Sequence, residues 1–132
     1  MVRKNSFLVI ITGIHVKDEK SADIAARKLI DMGVSRVVIK MGDKGCYAMD
    51  GKSGRYFDVV HCGKTVDTTG AGDAFSGGFT AALSCGMDFF DAVSFGSIVA
   101  GIAVTRYGTA PAMPFLNEIL KHQEITDRLR NK

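Results

Sequence analysis

The chain has 132 residues, of which 46% are hydrophobic and 23% are charged. This composition predicts one soluble globular domain with a core of its own and excludes disordered or fibrous classes. The net charge of +3 is small and lies largely at the two ends, without the aromatic-rich basic stripe of a nucleic-acid-binding protein.

The N-terminal segment and the cysteines indicate the compartment. The apolar run 7–11 is too short for the core of a signal peptide or for a membrane span. Three cysteines form no CxxC pair, and three histidines lack metal-ligand spacing. We therefore expect a cytoplasmic protein with free thiols that does not bind a membrane.

The first half of the chain predicts a helix followed by strands. Ser21 is expected to cap a helix over 21–32 that Gly33 ends. The β-branched run 34–40 predicts a strand that is buried on both faces. The segment "GDKG" at 42–45 predicts a tight turn, and the segments 46–50 and 55–60 then predict an antiparallel hairpin.

The second half predicts three helices. Apolar residues at helical spacing mark a helix over 71–85, and the next helix, over 89–105, is apolar nearly all round. The small residues of this second helix would permit close packing on a neighbour. A loop leads to a final amphipathic helix with Pro114 at its start. The pattern is that of half of a layered α/β domain with a mixed sheet.

The stretch "DTTGAGDAFSGGF" at 67–79 is the strongest candidate for chemistry. Gly70 and Gly72 lack a Cβ, so a ligand can approach the backbone at a helix start, where free N–H groups and the helix dipole favour anions. A carboxylate at Asp73 beside such a phosphate cradle suits a general base. The alternative is that Asp73 merely caps the helix and that the glycines form a turn. Neither a P-loop nor a dinucleotide-binding fingerprint fits the stretch.

The longer stretch "VDTTGAGDAFSGGF" closely resembles the C-terminal signature of the PfkB family of carbohydrate kinases. The resemblance extends from "TGIHVKDEKSADIAARKLIDMGVSRVVIKMGDKG" to "AVTRYGTAPAMP". It implies the C-terminal half of a ribokinase-like three-layer α/β/α fold with a mixed sheet. It also implies ATP-dependent phosphotransfer to a hydroxyl of a small-molecule sugar or nucleoside.

The resemblance also implies residue roles. Asp73 would be the catalytic base, and Gly70, Ala71 and Gly72 would form the anion hole for the γ-phosphoryl group. The residues expected along ATP are Lys40, Gly42, Asp43, Gly45 and, beside the adenine, Ser97. "GDKG" as a plain turn and the helix 89–105 as tight packing remain alternatives for these positions.

Two metal ions are implied as well. A potassium-like monovalent cation would lie among Asp67, Thr69 and the backbone of Ala103, Arg106, Gly108 and Ala112. Mg²⁺ is implied with ATP, but the NxxE motif that helps to organise it in the family is not intact in "KNSFLVIITG". We interpret residues 1–11 as a start that is not native to the family.

The resemblance begins in the second half of the family members, so residues 1–132 are expected to form a single partial domain. Nothing in the sequence corresponds to the family's sugar-binding segments and lid. We expect the chain to be weakly active or inactive alone and to self-associate through an apolar patch. The alternative function is nucleotide or anion binding without catalysis.

Overall fold

The computed structural model describes residues 12–130, without the side chains of 123–126 and 128–130. It divides into two compact units at Val59 and Val60, and each unit is described by itself below. The prediction of a single partial domain stays a prediction, and the interpretation of residues 1–11 lies outside the described residues.

The described part of the first unit contains a helix and a three-stranded sheet. Helix α1 spans Glu19–Asp31, and the strands are β1 (Val37–Lys40), β2 (Cys46–Met49) and β3 (Gly54–Phe57). The sheet order is β1-β2-β3, and both pairings are antiparallel. A 3₁₀ turn over Gly42–Lys44 joins β1 to β2. The predicted hairpin is therefore confirmed, whereas the parallel pairing of a mixed sheet does not occur among residues 12–130.

The N-cap of helix α1 lies three residues before the predicted cap. The N-cap is Asp18, whose carboxylate accepts the N–H of Ser21 at 2.8 Å, while the Ser21 hydroxyl accepts the N–H of Asp18 at 3.1 Å. This reciprocal pair is a capping box, so Ser21 occupies its third helical position. The prediction that Ser21 is the cap was wrong, because a serine can serve at either end of such a box.

The strand that is buried throughout is β2 and not β1. In β1 only Val37 and Ile39 are buried, because alternate side chains leave the core. All four residues of β2 are buried, since this strand lies between the other two and faces the alanines of α1. The prediction that the run 34–40 is buried on both faces was therefore wrong.

A polar contact joins α1 to β2 at the edge of the core of this unit. The Tyr47 hydroxyl donates to Asp23 at 2.5 Å, and Asp23 also accepts the Nε–H of Arg27 at 2.8 Å. Burial, together with the bond to Asp23, raises the pKa of Tyr47 to about 12. Gly54 has no room for a side chain, because a Cβ would lie 1.9 Å from the Tyr47 hydroxyl oxygen.

The second unit is helical. Helices α2 (Ala71–Ser84) and α3 (Phe89–Ala103) match the predicted helices to within two residues, and α4 spans Leu116–Arg130, two residues after Pro114. A 3₁₀ turn over Ala110–Ala112 precedes α4. None of the helices in the described part of the chain has both the length and the apolar character needed to cross a membrane.

Glycines allow α2 and α3 to pack closely. A Cβ on Gly78 of α2 would lie 2.7 Å from Cγ2 of Val99 in α3. A Cβ on Gly96 of α3 would lie 2.9 Å from the carbonyl oxygen of Phe75 in α2. The predicted close packing of the small residues is thus confirmed, and it fixes α2, whose first turn carries the candidate chemistry.

Two neighbouring glycines of α2 give a test of this packing. Gly77→Ala should stabilise the chain by about 1 kcal/mol, because no atom lies within 4 Å of its Cβ and alanine favours helix. Gly78→Ala should destabilise it, because overpacking against Val99 costs about 1–3 kcal/mol and outweighs the helix propensity. Urea unfolding measures both changes, and equal stability of the two variants would contradict the close packing.

Candidate anion-binding site at the start of helix α2

Helix α2 begins at a glycine in a left-handed conformation. Its N-cap is Gly70, with φ 77° and ψ 4°, and no side chain caps the helix. Asp73 lies exposed in the first helical turn, and its carboxylate makes no hydrogen bond or ion pair with a residue of the described range 12–130. The alternative in which Asp73 serves as the helix cap was therefore wrong.

Peptide N–H groups at this turn remain available to a ligand. The N–H of Ala71 donates to the carbonyl of Thr68 at 3.2 Å, and the N–H of Ala74 donates to Gly70 at 2.8 Å. The N–H groups of Gly70 and Asp73 have no acceptor among the residues that the structure describes. In this conformation the turn thus offers at least two N–H donors at the positive end of a helix dipole.

The loop that follows α3 packs directly on this turn. A Cβ on Gly70 would lie 2.8 Å from Cγ2 of Thr109 and 3.6 Å from its Cα. Because φ of Gly70 is also positive, both sterics and backbone conformation require glycine there. Thr109 therefore packs against Gly70 on one side of the turn. Thr109 was not among the site residues predicted from the sequence.

Asp67 joins the turn to the same loop. One carboxylate oxygen accepts the N–H of Thr69 at 2.9 Å, and the other accepts the N–H of Gly108 at 3.0 Å. The carbonyl of Val104 accepts the N–H groups of Val66 and Asp67 at 2.8 and 3.2 Å. Hydrogen bonds from Thr69, and then from Gly108, lower the pKa of Asp67 below its ordinary value.

The residues expected around a monovalent cation come together in part. Asp67, Thr69 and Gly108 are joined directly, and the carbonyl of Ala103 accepts the N–H of Arg106 at 3.2 Å. Ala112 is buried in the 3₁₀ turn before α4. Carboxylate and carbonyl oxygens of this kind suit a hard cation. Within the described residues, no three His, Cys, Asp or Glu side chains cluster as a metal site.

The residues expected along ATP lie in both units. In the first unit, half-buried Lys40 ends β1, Asp43 is exposed, and Gly42 and Gly45 have φ of 63° and 78°. A Cβ on Gly45 would lie 2.1 Å from the carbonyl oxygen of Phe57, so the turn itself requires this glycine. In the second unit, the Ser97 hydroxyl donates to Val93 at 3.0 Å within α3. Their roles at a nucleotide stay predictions.

Sequence reasoning missed a carboxylate that holds the other side of the loop. Glu118 accepts hydrogen bonds from the Arg106 guanidinium and, at 2.7 Å, from the N–H of Phe115. The bonds from Arg106, and then from Phe115, lower the pKa of Glu118. Phe115 directly precedes α4, and Glu118 is the third residue of that helix. A glutamate at this position commonly accepts the N–H of the residue before the helix, so this capping pattern could have indicated the bond from Phe115.

Comparison with known proteins identifies relatives by sequence. The sequence profile of the pfkB family of carbohydrate kinases matches residues 7–116. The ribokinase of Haemophilus influenzae is 38% identical over 115 residues, which are 87% of this chain and 37% of that protein. The 5-dehydro-2-deoxygluconokinase of Bacillus velezensis is 36% identical over 83% of this chain and 33% of its own length.

Solved structures agree with the sequence comparison. Ribokinase of Arabidopsis thaliana, complexed with ribose and ATP, has a TM-score of 0.81 at 29% identity, over 89% of this chain and 38% of that one. Ribokinase of Thermotoga maritima has a TM-score of 0.78 at 35% identity, over 91% of this chain and 39% of that one. The chain therefore spans less than two fifths of the length of these relatives. The expected ribokinase-like α/β fold is confirmed.

Replacing Asp67 by asparagine tests the junction between turn and loop. The neutral amide has one oxygen, so Asp67→Asn cannot accept from both Thr69 and Gly108, and the variant should unfold at a lower temperature at pH 7. Because folding lowers the pKa of Asp67, its stabilising effect is complete above the ordinary value of 3.8 and is lost as the pH falls through the folded-state pKa.

The two proteins should accordingly differ most at neutral pH and should converge as the pH falls below the folded-state pKa of Asp67. Thermal unfolding across this range measures the difference. Asp88→Asn is the matched control, because Asp88 is an exposed carboxylate that makes no side-chain cap bond. A difference from wild type that stays constant with pH would contradict the role given to the Asp67 carboxylate.

Proposed function

The chain belongs to the pfkB family of carbohydrate kinases, and we propose that it carries the phosphate-binding turn and the catalytic base of an ATP-dependent sugar or nucleoside kinase. One observation carries the proposal. The exposed carboxylate of Asp73 lies on the same helical turn as the N–H groups of Gly70 and Asp73, which have no acceptor among the described residues.

This arrangement suits the transfer of a phosphoryl group. As the acceptor hydroxyl forms its bond to the γ-phosphorus, its proton passes to the Asp73 carboxylate. The bond from the γ-phosphorus to the bridging oxygen breaks, and ADP leaves with those electrons. The N–H groups of Gly70, Ala71 and Gly72 are proposed to stabilise the transferring charge, with Ala71 exchanging its bond to Thr68 for one to phosphate.

ATP is the proposed phosphoryl donor. The structure of a relative with ribose and ATP bound supports this choice, as does the suitability of the turn for anions. We propose that Lys40, Gly42, Asp43, Gly45 and Ser97 line the nucleotide. Bound Mg²⁺ would neutralise phosphate charge, and no residue of this chain is assigned to it.

A monovalent cation, K⁺, is proposed behind the turn. Asp67 and Thr69 would hold it together with the backbone of Ala103, Arg106, Gly108 and Ala112. Both oxygens of Asp67 already accept N–H groups, but each keeps a further lone pair for a cation. The cation would supply charge that stiffens the turn, while Asp67 itself holds Thr69 and Gly108 in place.

A second candidate is nucleotide binding without transfer. The observation that favours it is that the turn alone offers donors to a phosphate, since the N–H groups of Gly70 and Asp73 have no acceptor among the described residues, whereas transfer also needs an acceptor hydroxyl held in place. The residues that would bind the sugar are not assigned in this chain. Under this second candidate the turn binds the terminal phosphate, but no acceptor hydroxyl is held beside Asp73.

Substitution of the proposed base tests the first candidate. Asp73→Asn should bind ATP as well as the wild type or better, because a negative charge beside the phosphates is removed. Transfer to a panel of pentoses and nucleosides should fall about 10²–10⁴-fold, the usual contribution of a general base. Calorimetry measures the binding, and a coupled assay of ADP release measures the transfer.

Asp91→Asn is the matched control, since Asp91 is also an exposed acid in the first turn of a helix. Binding without transfer by the wild-type chain would favour the second candidate over the first. Undiminished transfer by Asp73→Asn would refute the assignment of the base, and a wild-type chain that does not bind ATP would refute both candidates.

A further inference from the structure

One glutamate of α4 connects that helix to the loop behind the anion-binding turn. Glu118 accepts from both terminal nitrogens of Arg106, with the longer contact at 3.3 Å, and from the N–H of Phe115 at 2.7 Å. The two charged side chains are 35% and 33% exposed. The pair therefore joins α4 to a residue that lies 12 positions earlier in the chain.

The loop that carries Arg106 contacts the turn through its other atoms. The carbonyl of Val104 accepts two N–H groups from the segment before the turn, and the N–H of Gly108 donates to Asp67. Thr109 lies against Gly70. The loop is thus held on one side by the turn and on the other side by Glu118.

The loop has little packing of its own. No side chain from 104 to 110 is buried, and Tyr107 is 79% exposed. A segment without buried apolar side chains opens easily unless polar contacts fix it. The position of the loop therefore depends on its hydrogen bonds and on the ion pair.

We propose that Arg106 and Glu118 are positioning residues of the anion-binding turn. Their ion pair holds the loop 104–109 against Asp67 and Gly70, so that the free N–H groups of the turn keep the orientation that a phosphate requires. The effect on ATP rests on the proposed function, whereas the effect on the loop does not.

The test uses four variants of the full chain. Glu118→Gln removes the charge but keeps an acceptor for the N–H of Phe115, so the start of α4 is preserved. The exchanged pair, Arg106→Glu with Glu118→Arg, restores opposite charges. Its reference is Glu118→Arg alone, because arginine accepts no hydrogen bond and both forms therefore lose the acceptor for the N–H of Phe115. Arg27→Gln is the matched control, because it breaks the exposed ion pair of Arg27 with Asp23 in the other unit.

Two measurements distinguish an effect on the position of the loop from an effect on ATP binding. Amide hydrogen exchange at Gly108, followed by NMR without ligand, should become about threefold faster in Glu118→Gln, as expected for the loss of a partly exposed ion pair. The dissociation constant of Mg–ATP should rise by a similar factor. Compared with Glu118→Arg alone, the exchanged pair should recover most of both effects, and Arg27→Gln should show neither.

Unchanged exchange at Gly108 in Glu118→Gln, with any fall only in overall stability, would overturn the proposal. An exchanged pair whose Gly108 exchanges as fast as in Glu118→Arg alone would also overturn it. Faster exchange that is recovered by the exchanged pair would support the positioning role even if no form of the chain bound ATP, and in that case only the proposed function would fail.

Discussion

The carboxylate of Asp67 ties together two segments that are 41 residues apart in the chain, and the candidate site depends on that junction. One oxygen fixes the backbone at Thr69, directly before the left-handed Gly70, and the other fixes Gly108 in the loop behind it. The N–H groups at the start of α2 point in a defined direction because the chain on both sides of them is held. The chemistry proposed for Asp73 requires that fixed direction.

Close packing of α2 on α3 also constrains the position of the turn. Gly78 and Gly96 let the two backbones approach, so the helix that carries Asp73 is fixed on a rigid neighbour. The turn itself is made of residues without large side chains, which leaves its backbone open to a ligand. The packed helix, the open turn and the loop held by polar contacts together give the preorganised arrangement that the proposed transfer requires.

Local sequence patterns predicted most elements but not the contacts between them. The helices α2 and α3 followed from apolar spacing, and the hairpin of β2 and β3 followed from its turn residues. The N-cap of α1 was predicted wrongly because Asp18 and Ser21 are both residue types that favour this position. The buried strand was predicted wrongly because the burial of β2 depends on its neighbouring strands rather than on its own composition. Asp67 and Gly108 are 41 residues apart, and only the family resemblance, not a local pattern, placed them at one site. The contact of Arg106 with Glu118 joins a loop to a helix, and no local pattern indicated it.

The proposed function requires that backbone N–H groups at the start of α2 bind the terminal phosphate of a nucleotide. An amide-resolved NMR titration of the chain with Mg–ATP and, separately, with Mg–ADP tests it most directly. We expect ATP to shift the amide signals of Gly70 and Asp73 strongly and ADP to shift them much less, because only ATP carries the γ-phosphate. Signals at these two residues that stay in place, while amides elsewhere respond to ATP, would contradict the account.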